Sequence, residues 1–204
     1  MAKGKMIVIE GLDGAGKSTL ARSLAGRLAE AHPLSRYAEP GGTPLGERLR
    51  ALIKDPDNHI LPRAEAMLFA AARAQLAERI RQDLQQGTWV LLDRWIPSSV
   101  AYQGFGRGLG GDDITQINQW ATEGLHPDLV IYLRVSAQTS RQRIQKRGLD
   151  KDRIEMEASG FFQKAAEGYD HWVEQTPYAH ALDAKLPPGQ LAEQAWQLVK
   201  GLGD

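Results

Sequence analysis

The sequence contains no cysteine. That single absence removes disulfide frameworks, thiolate zinc sites, iron–sulfur clusters and thiol nucleophiles. It also lacks a surplus of either charge: 25 Lys and Arg balance 25 Asp and Glu. Proteins that coat nucleic acid or anionic membrane rely on a basic excess, so neither partner is expected, although a local basic cleft stays open. Histidine is sparse, and His32, His59, His126, His171 and His180 show no metal-ligand spacing. No apolar run approaches the roughly 18 residues that a membrane-spanning helix needs. The first run, Met6 to Ile9, ends at Glu10 without a secretory core or cleavage site, so the expected compartment is the cytoplasm.

What is present suits one globular domain over residues 1–204, 42% of them hydrophobic. Five short apolar runs read as strands: Met6–Ile9, a weaker Ser35–Ala38, Trp89–Leu92, Leu129–Leu133 and Ala179–Leu182. The first, third and fourth are nearly continuous rather than alternating, as in strands covered on both faces of a parallel sheet. Helical spacing of apolar residues marks Ser18–Ala31, Leu61–Gln86, Asp112–Glu123, Ser136–Arg147, Glu155–Glu174 and Gly189–Lys200. The alternation predicts an α/β fold, a doubly wound parallel sheet with ligands beyond the carboxyl ends of its strands. Two glycine-rich stretches, Glu39–Gly46 and Gly104–Gly111, read as loops.

Gly11-Leu12-Asp13-Gly14-Ala15-Gly16-Lys17-Ser18 fits G-x-x-x-x-G-K-[ST], following a predicted strand and opening a predicted helix. Such a loop turns backbone N–H groups onto phosphate oxygens at a helix N-terminus. Lys17 then reaches the terminal phosphates of a nucleoside triphosphate and Ser18 ligates Mg2+; Thr19 completes the stretch. Asp93 closes the third strand at the same end of the sheet, where it suits an outer-shell magnesium partner, the alternative being a cap on the next turn. A GTP switch would carry Asn-Lys-x-Asp, yet neither Asn58 nor Asn118 precedes a lysine.

On Leu61–Gln86, Phe69, Leu76, Ile80 and Leu84 form an apolar stripe with Arg73 in its middle. A charge on a core face marks either a functional site or a structural ion pair. Phe69 and Arg73, four apart, could present a ring beside a guanidinium to an aromatic base. If the chain is helical after Pro97, Ser98 stacks over Tyr102 and Ser99 over Gln103 as a polar wall, although serines here also serve as caps. Arg94 is placed to fork onto an acceptor phosphate, and Gln103 offers a donor and an acceptor to a base edge. Arg141, Arg143, Arg147 and Arg153 bracket Gly148-Leu149-Asp150, either as a lid closing over a triphosphate or as a solvated basic face.

Together these residues resemble the thymidylate kinase family. The resemblance spans nearly the whole chain: the P-loop with Asp13 inside it, Glu39-Pro40-Gly41-Gly42-Thr43, Asp93-Arg94 with Ser98-Ser99 and Tyr102-Gln103-Gly104, Pro127-Asp128-Leu129, Arg147-Gly148 and Asp152-Arg153-Ile154-Glu155. It implies a P-loop NTPase-type sheet of about five strands, a lid near residues 147–156, transfer of the ATP γ-phosphoryl to thymidine monophosphate with Mg2+, and a homodimer. It further implies that Phe69 stacks on thymine, Arg73 and Gln103 bond its polar edge, and Arg94 holds the acceptor phosphate. Tyr102 would crowd the sugar 2′ position, and Asp13 would orient the acceptor. Arg143 would flank adenine near Asp183-Ala184. With no basic residue at Leu12, Asp13, Gly14 or Ala15, the extra catalytic basic residue falls in the lid, a bacterial-like arrangement in which Arg153 is preferred over Arg147. Many members carry Arg before the Glu-Pro, where this chain has Ala38. The rival is a nucleoside kinase with Glu39 as base for a neutral hydroxyl, against which Arg94 argues, since a hydroxyl acceptor has no phosphate to hold. A non-enzymatic nucleotide-dependent regulator is the alternative from another class.

Overall fold

The run Met6–Glu10 is buried along its whole length, as a strand covered on both faces must be. The computed structural model describes residues 3–148 and 150–203. Five parallel strands, β1 (Met6–Glu10), β2 (Leu34–Ala38), β3 (Trp89–Asp93), β4 (Leu129–Arg134) and β5 (Ala179–Asp183), lie in the order β2-β3-β1-β4-β5. Successive side chains on β1 part to opposite faces. Met6 and Val8 join Leu76, Ile80 and Leu84 on one side, and Ile7 and Ile9 join Leu20, Leu24 and Leu28 on the other. The expected parallel α/β architecture and all five strands are therefore present.

Eight helices and one π-helix flank the sheet among the described residues: α1 (Lys17–Ala31), α2 (Pro44–Lys54), α3 (Pro62–Gln85), α4 (Ile96–Ser99) running into the π-helix Val100–Gly106, α5 (Gly111–Thr122), α6 (Ala137–Arg147), α7 (Ser159–Glu174) and α8 (Pro188–Lys200). None is long and apolar enough to cross a membrane. Because β1 is flanked by β3 and β4, the chain reverses direction across the sheet there, and the crevice beyond the carboxyl end of β1 is where such folds bind ligands.

Three local expectations are corrected. The stretch Glu39–Gly46 is not all loop, because Thr43 caps α2 by accepting from Gly46 N, with Pro44 at the first helical position. The region after Pro97 is helical, but it widens into a π-helix at Val100, a distortion that is most frequent at functional sites. The helix expected from Glu155 begins at Ser159. Asp152 Oδ1 accepts from the backbone N–H groups of Ile154 and Glu155, folding 152–157 into a separate turn. Gly168 lets α7 lie directly on the π-helix, since an added Cβ would stand 2.9 Å from Ala101 Cα.

Candidate active site

A cleft of about 500 Å³ opens at the carboxyl end of β1 and β3. The P-loop forms its floor. Gly14 and Gly16 adopt φ of 76° and 105°, conformations costly for any residue with a Cβ, and they let the chain curl before α1. Lys17 Nζ lies back across that curl, donating to Gly11 O at 3.0 Å and Leu12 O at 3.1 Å. Burial first, then the Arg94 charge, push the Lys17 ammonium down to about 8, against the pull of Asp13 and Asp93. The loop is buttressed from α6: Ser140 Oγ donates to Asp13 O at 2.6 Å, and Arg143 donates to Gly14 O and, at 2.9 Å, to Ala184 O. Arg143 and the Ala184 turn therefore meet beside the loop, as expected, while Asp183 caps that turn through Lys185 N and lies off the cleft. Gly14, Gly16, Lys17, Ser18 and Thr19 line the cleft; Leu12 and Ala15 are buried beneath it.

Beside the loop stands a chain of charges. Arg94 has φ 77°, a left-handed conformation rare outside glycine that costs of order 1 kcal/mol, and its N–H is tied to Ile9 O at 3.0 Å. Its guanidinium reaches Asp13 Oδ1 at 2.7 Å and the hydroxyls of Ser98 and Tyr169 at 3.0 Å. Tyr102 donates to Asp13 Oδ2 at 2.9 Å. Burial opposes ionisation of Asp13, but Arg94 and Lys17 outweigh it and hold its carboxyl well below the usual range. Behind them lies wholly buried Glu10, which accepts from Trp95 N at 2.7 Å and from Ser98 Oγ at 2.7 Å; burial raises its carboxyl despite Arg94. On the other side of the loop, Ser18 Oγ lies 3.4 Å from Asp93 Oδ2, while Asp93 Oδ1 is buried without a partner.

Phe69, Ser98, Ser99, Tyr102 and Gln103 wall the far end of the cleft together with Glu39. Arg73 does not line it. Its guanidinium donates to Glu39 Oε2 at 2.7 Å, Ser99 Oγ, Asn118 Oδ1 and Trp95 O, and its Nη2 also stands 2.7 Å from Glu39 Oε2 as an ion pair. The structural ion pair is the arrangement seen: Arg73 holds Glu39 and Ser99 in the wall rather than offering a base an open donor. Burial lifts the Glu39 carboxyl to about 7 against the Arg73 charge, and its Oε1 is left unpartnered.

The lid arginines separate. Arg147, at the end of α6, lines the cleft and forks onto both oxygens of Glu155 at 2.8 and 2.9 Å. Arg153 points elsewhere, donating to Ile53 O at 2.8 Å and to Glu65 at 2.7 Å. Arg153, the residue preferred from the resemblance, thus does not line the cleft: it is a strut between the lid and the helices beneath it. Arg141 lies off the cleft, in a shallow groove with Ser159 and Gln163. Leu149 of the expected glycine-marked break lies outside the described residues.

Sequence reading missed Glu10, Arg50, Lys54, Glu65, Asn118 and Tyr169, and gave Asp152 and Glu155 no role beyond the resemblance. Arg50 and Lys54 border the cleft from α2, whose Thr43-Pro44 start was a readable capping signal. Glu65 was also readable, one turn before Phe69 on the face that carries Arg73. Tyr169 was not, since it reaches Glu10 from 159 residues away.

Comparison with known proteins agrees with this geometry. The model of the Thymidylate kinase family matches residues 9–195. A thymidylate kinase of Synechococcus sp. (strain RCC307) is 42% identical, the match covering 97% of this chain and 96% of the relative. One from Halalkalibacterium halodurans is 41% identical over 98% of both, and one from Staphylococcus haemolyticus (strain JCSC1435) 38% over 95% and 96%. With a P-loop, a braced Arg94 and a base-sized wall in one cleft, and a match of this extent, the chain belongs to the thymidylate kinase family.

Proposed function

We propose that the cleft holds two nucleotides end to end, ATP over the P-loop and thymidine monophosphate against the Phe69–Gln103 wall. As a member of its family, the chain is an enzyme that phosphorylates thymidine monophosphate to the diphosphate. The observation that carries the two-site reading is Asp13: it belongs to the P-loop, yet its carboxylate grips Arg94 and Tyr102 of the acceptor wall. Donor and acceptor ends are thus joined by one residue, which holds them close together, as in-line transfer requires. The acceptor phosphate is already ionised near neutral pH, so no strong base is needed. Arg94 orients it, Lys17 leaves its own loop carbonyls to take the donor phosphates, and Phe69 stacks on the base while Ser99 and Gln103 bond its edge.

Magnesium fits the residues present. Ser18 Oγ would ligate it directly and the free Asp93 Oδ1 through water; among the described residues no three His, Asp or Glu converge as a cage, so nucleotide oxygens would complete the shell. Bound there, the ion neutralises charge on the phosphates. Arg147 is the lid arginine that lines the cleft, and it supplies positive charge to the transferring group once it leaves Glu155. Residues 147–156 act as the lid of a single nucleoside-monophosphate-kinase-like domain. From the family resemblance we place the enzyme in the cytoplasm as a homodimer, with no membrane or nucleic-acid partner. ADP release from magnesium–ATP with thymidine, and with the monophosphates of thymidine, deoxyuridine, deoxycytidine, deoxyguanosine and adenosine, tests the reading. Turnover mainly with thymidine monophosphate is expected. Turnover with thymidine alone would overturn the Arg94 role and make Glu39 the base, and none with any acceptor would sink the enzyme reading.

A further inference from the structure

Gln103 lines the cleft, and its side-chain amide has one protein partner among the described residues: Nε2 donates to Glu65 Oε1 at 2.8 Å, while Oε1 accepts nothing. An amide can present either end to a ligand, and the two choices ask opposite things of a base. Here the choice is made from behind. Glu65 is wholly buried and, when ionised, can only accept. A flipped Gln103 would press its carbonyl oxygen against that carboxylate, away from water that could screen the repulsion.

Glu65 is itself held firmly. Arg107 donates to it from Nε at 3.1 Å and Nη2 at 2.9 Å, and Arg153 donates at 2.7 Å. Burial opposes its charge, but Arg107, Gln103 and Arg153 together keep its carboxyl below the usual range. The carboxylate does not border the cleft, so whatever it does to a substrate passes through Gln103. Its helix ties the parts together: Glu65 and Phe69 are one turn apart on α3, so the residue that orients the amide and the residue that stacks the base share a rigid support.

We propose that Glu65 is a specificity-positioning residue, locking the Gln103 amide with its carbonyl oxygen toward the cleft. This deepens the functional reading above and rests on it. Thymine and uracil carry one free ring N–H, the imide at N3, which a fixed carbonyl accepts. Cytosine has an unprotonated acceptor at that atom, so the same fixed carbonyl repels it.

The test is the ratio of kcat/KM for thymidine monophosphate over deoxycytidine monophosphate. Glu65→Gln keeps the shape but can offer either a donor or an acceptor, which frees Gln103 to flip. The ratio should fall by at least about 10-fold, the scale on which one correct base-edge contact discriminates. In a Gln103→Leu background the same change at Glu65 should leave the ratio unmoved. A structural role alone would lower melting temperature and turnover with both acceptors alike; an unchanged ratio overturns the inference. Absence of thymidine monophosphate turnover in the unaltered chain would appear before any substitution and would overturn the functional reading and this inference together. If Glu65→Gln does not fold, nuclear Overhauser contacts in the unaltered protein with thymidine monophosphate decide. Gln103 amide protons near Arg107 Nε–H support the lock; the same protons near the base, with no contact to Arg107, refute it.

Discussion

Replacing Arg147 and Arg153 by alanine, one at a time, should separate two tasks that the sequence makes look alike. Arg147 is 42% exposed, and although its partner Glu155 is only 6% exposed, that carboxylate keeps a donor in Asp152 N, so losing Arg147 should cost about 1 kcal/mol of stability. If it supplies charge to the transferring phosphoryl, turnover should drop by about 10³-fold, the low end for such arginines, with little change in the KM of either substrate. Arg153 is 11% exposed and its partner Glu65 not at all. Removing it leaves a buried carboxylate short of one charged donor and Ile53 O short of its bond, a loss of about 2 kcal/mol because Arg107 and Gln103 remain. At about 2–4 °C per kcal/mol for a chain of this size, the melting temperature should fall by about 4–8 °C. Coupled ADP release and a thermal melt on each variant, with a check that both remain folded at the assay temperature, give the four numbers. A large turnover loss in Arg153→Ala with an unchanged melt, beside normal turnover in Arg147→Ala, would refute the assignment.

Nucleotide binding should be linked to protons through Lys17. With its ammonium pushed down to about 8 in the free protein and restored by phosphate, ATP binding at pH 8 should take up about half a proton, and affinity should fall as pH rises further. Calorimetry in buffers of different ionisation enthalpy reads this, and zero uptake contradicts it. Asp93→Asn should raise the magnesium concentration for half-maximal turnover by at least about 10-fold, an effect typical of lost outer-shell partners; an unchanged requirement would remove Asp93 from that role. Phe69→Ala should raise the KM of thymidine monophosphate by about 5- to 100-fold, the range of one base–aromatic stack, while leaving that of ATP alone. An equal rise for both substrates would mean that the ring supports the cleft rather than the base.

Much of the site is legible from the sequence because its parts are local. The P-loop is a contiguous run whose glycines, Lys17 and Ser18 act within one turn, so its phosphate-binding groups are readable without knowing their distant supports. β1 and β3 read correctly because strands covered on both faces must be apolar throughout. Phe69 stood out on the helical period and indeed borders the cleft. Arg73 stood out by the same pattern, and its outcome shows the limit: a charge on a core face says that a partner exists, not whether the partner is ligand or protein.

What the sequence by itself determined was the strand–helix alternation, the phosphate loop and the set of polar residues that could surround a second substrate. Only the tertiary structure decided which of them reach the cleft. Arg147 and Arg153 are six positions apart in one arginine-rich stretch, and composition and spacing cannot rank them. The end of α6 leaves Arg147 on the cleft, and the turn built on Asp152 carries Arg153 toward Glu65, 88 residues away. Likewise Glu10, Ser98 and Tyr169 become one hydrogen-bonded cluster behind Arg94 because α7 packs onto the π-helix. Side-chain direction and long-range partners are products of packing, and no period along the chain encodes them.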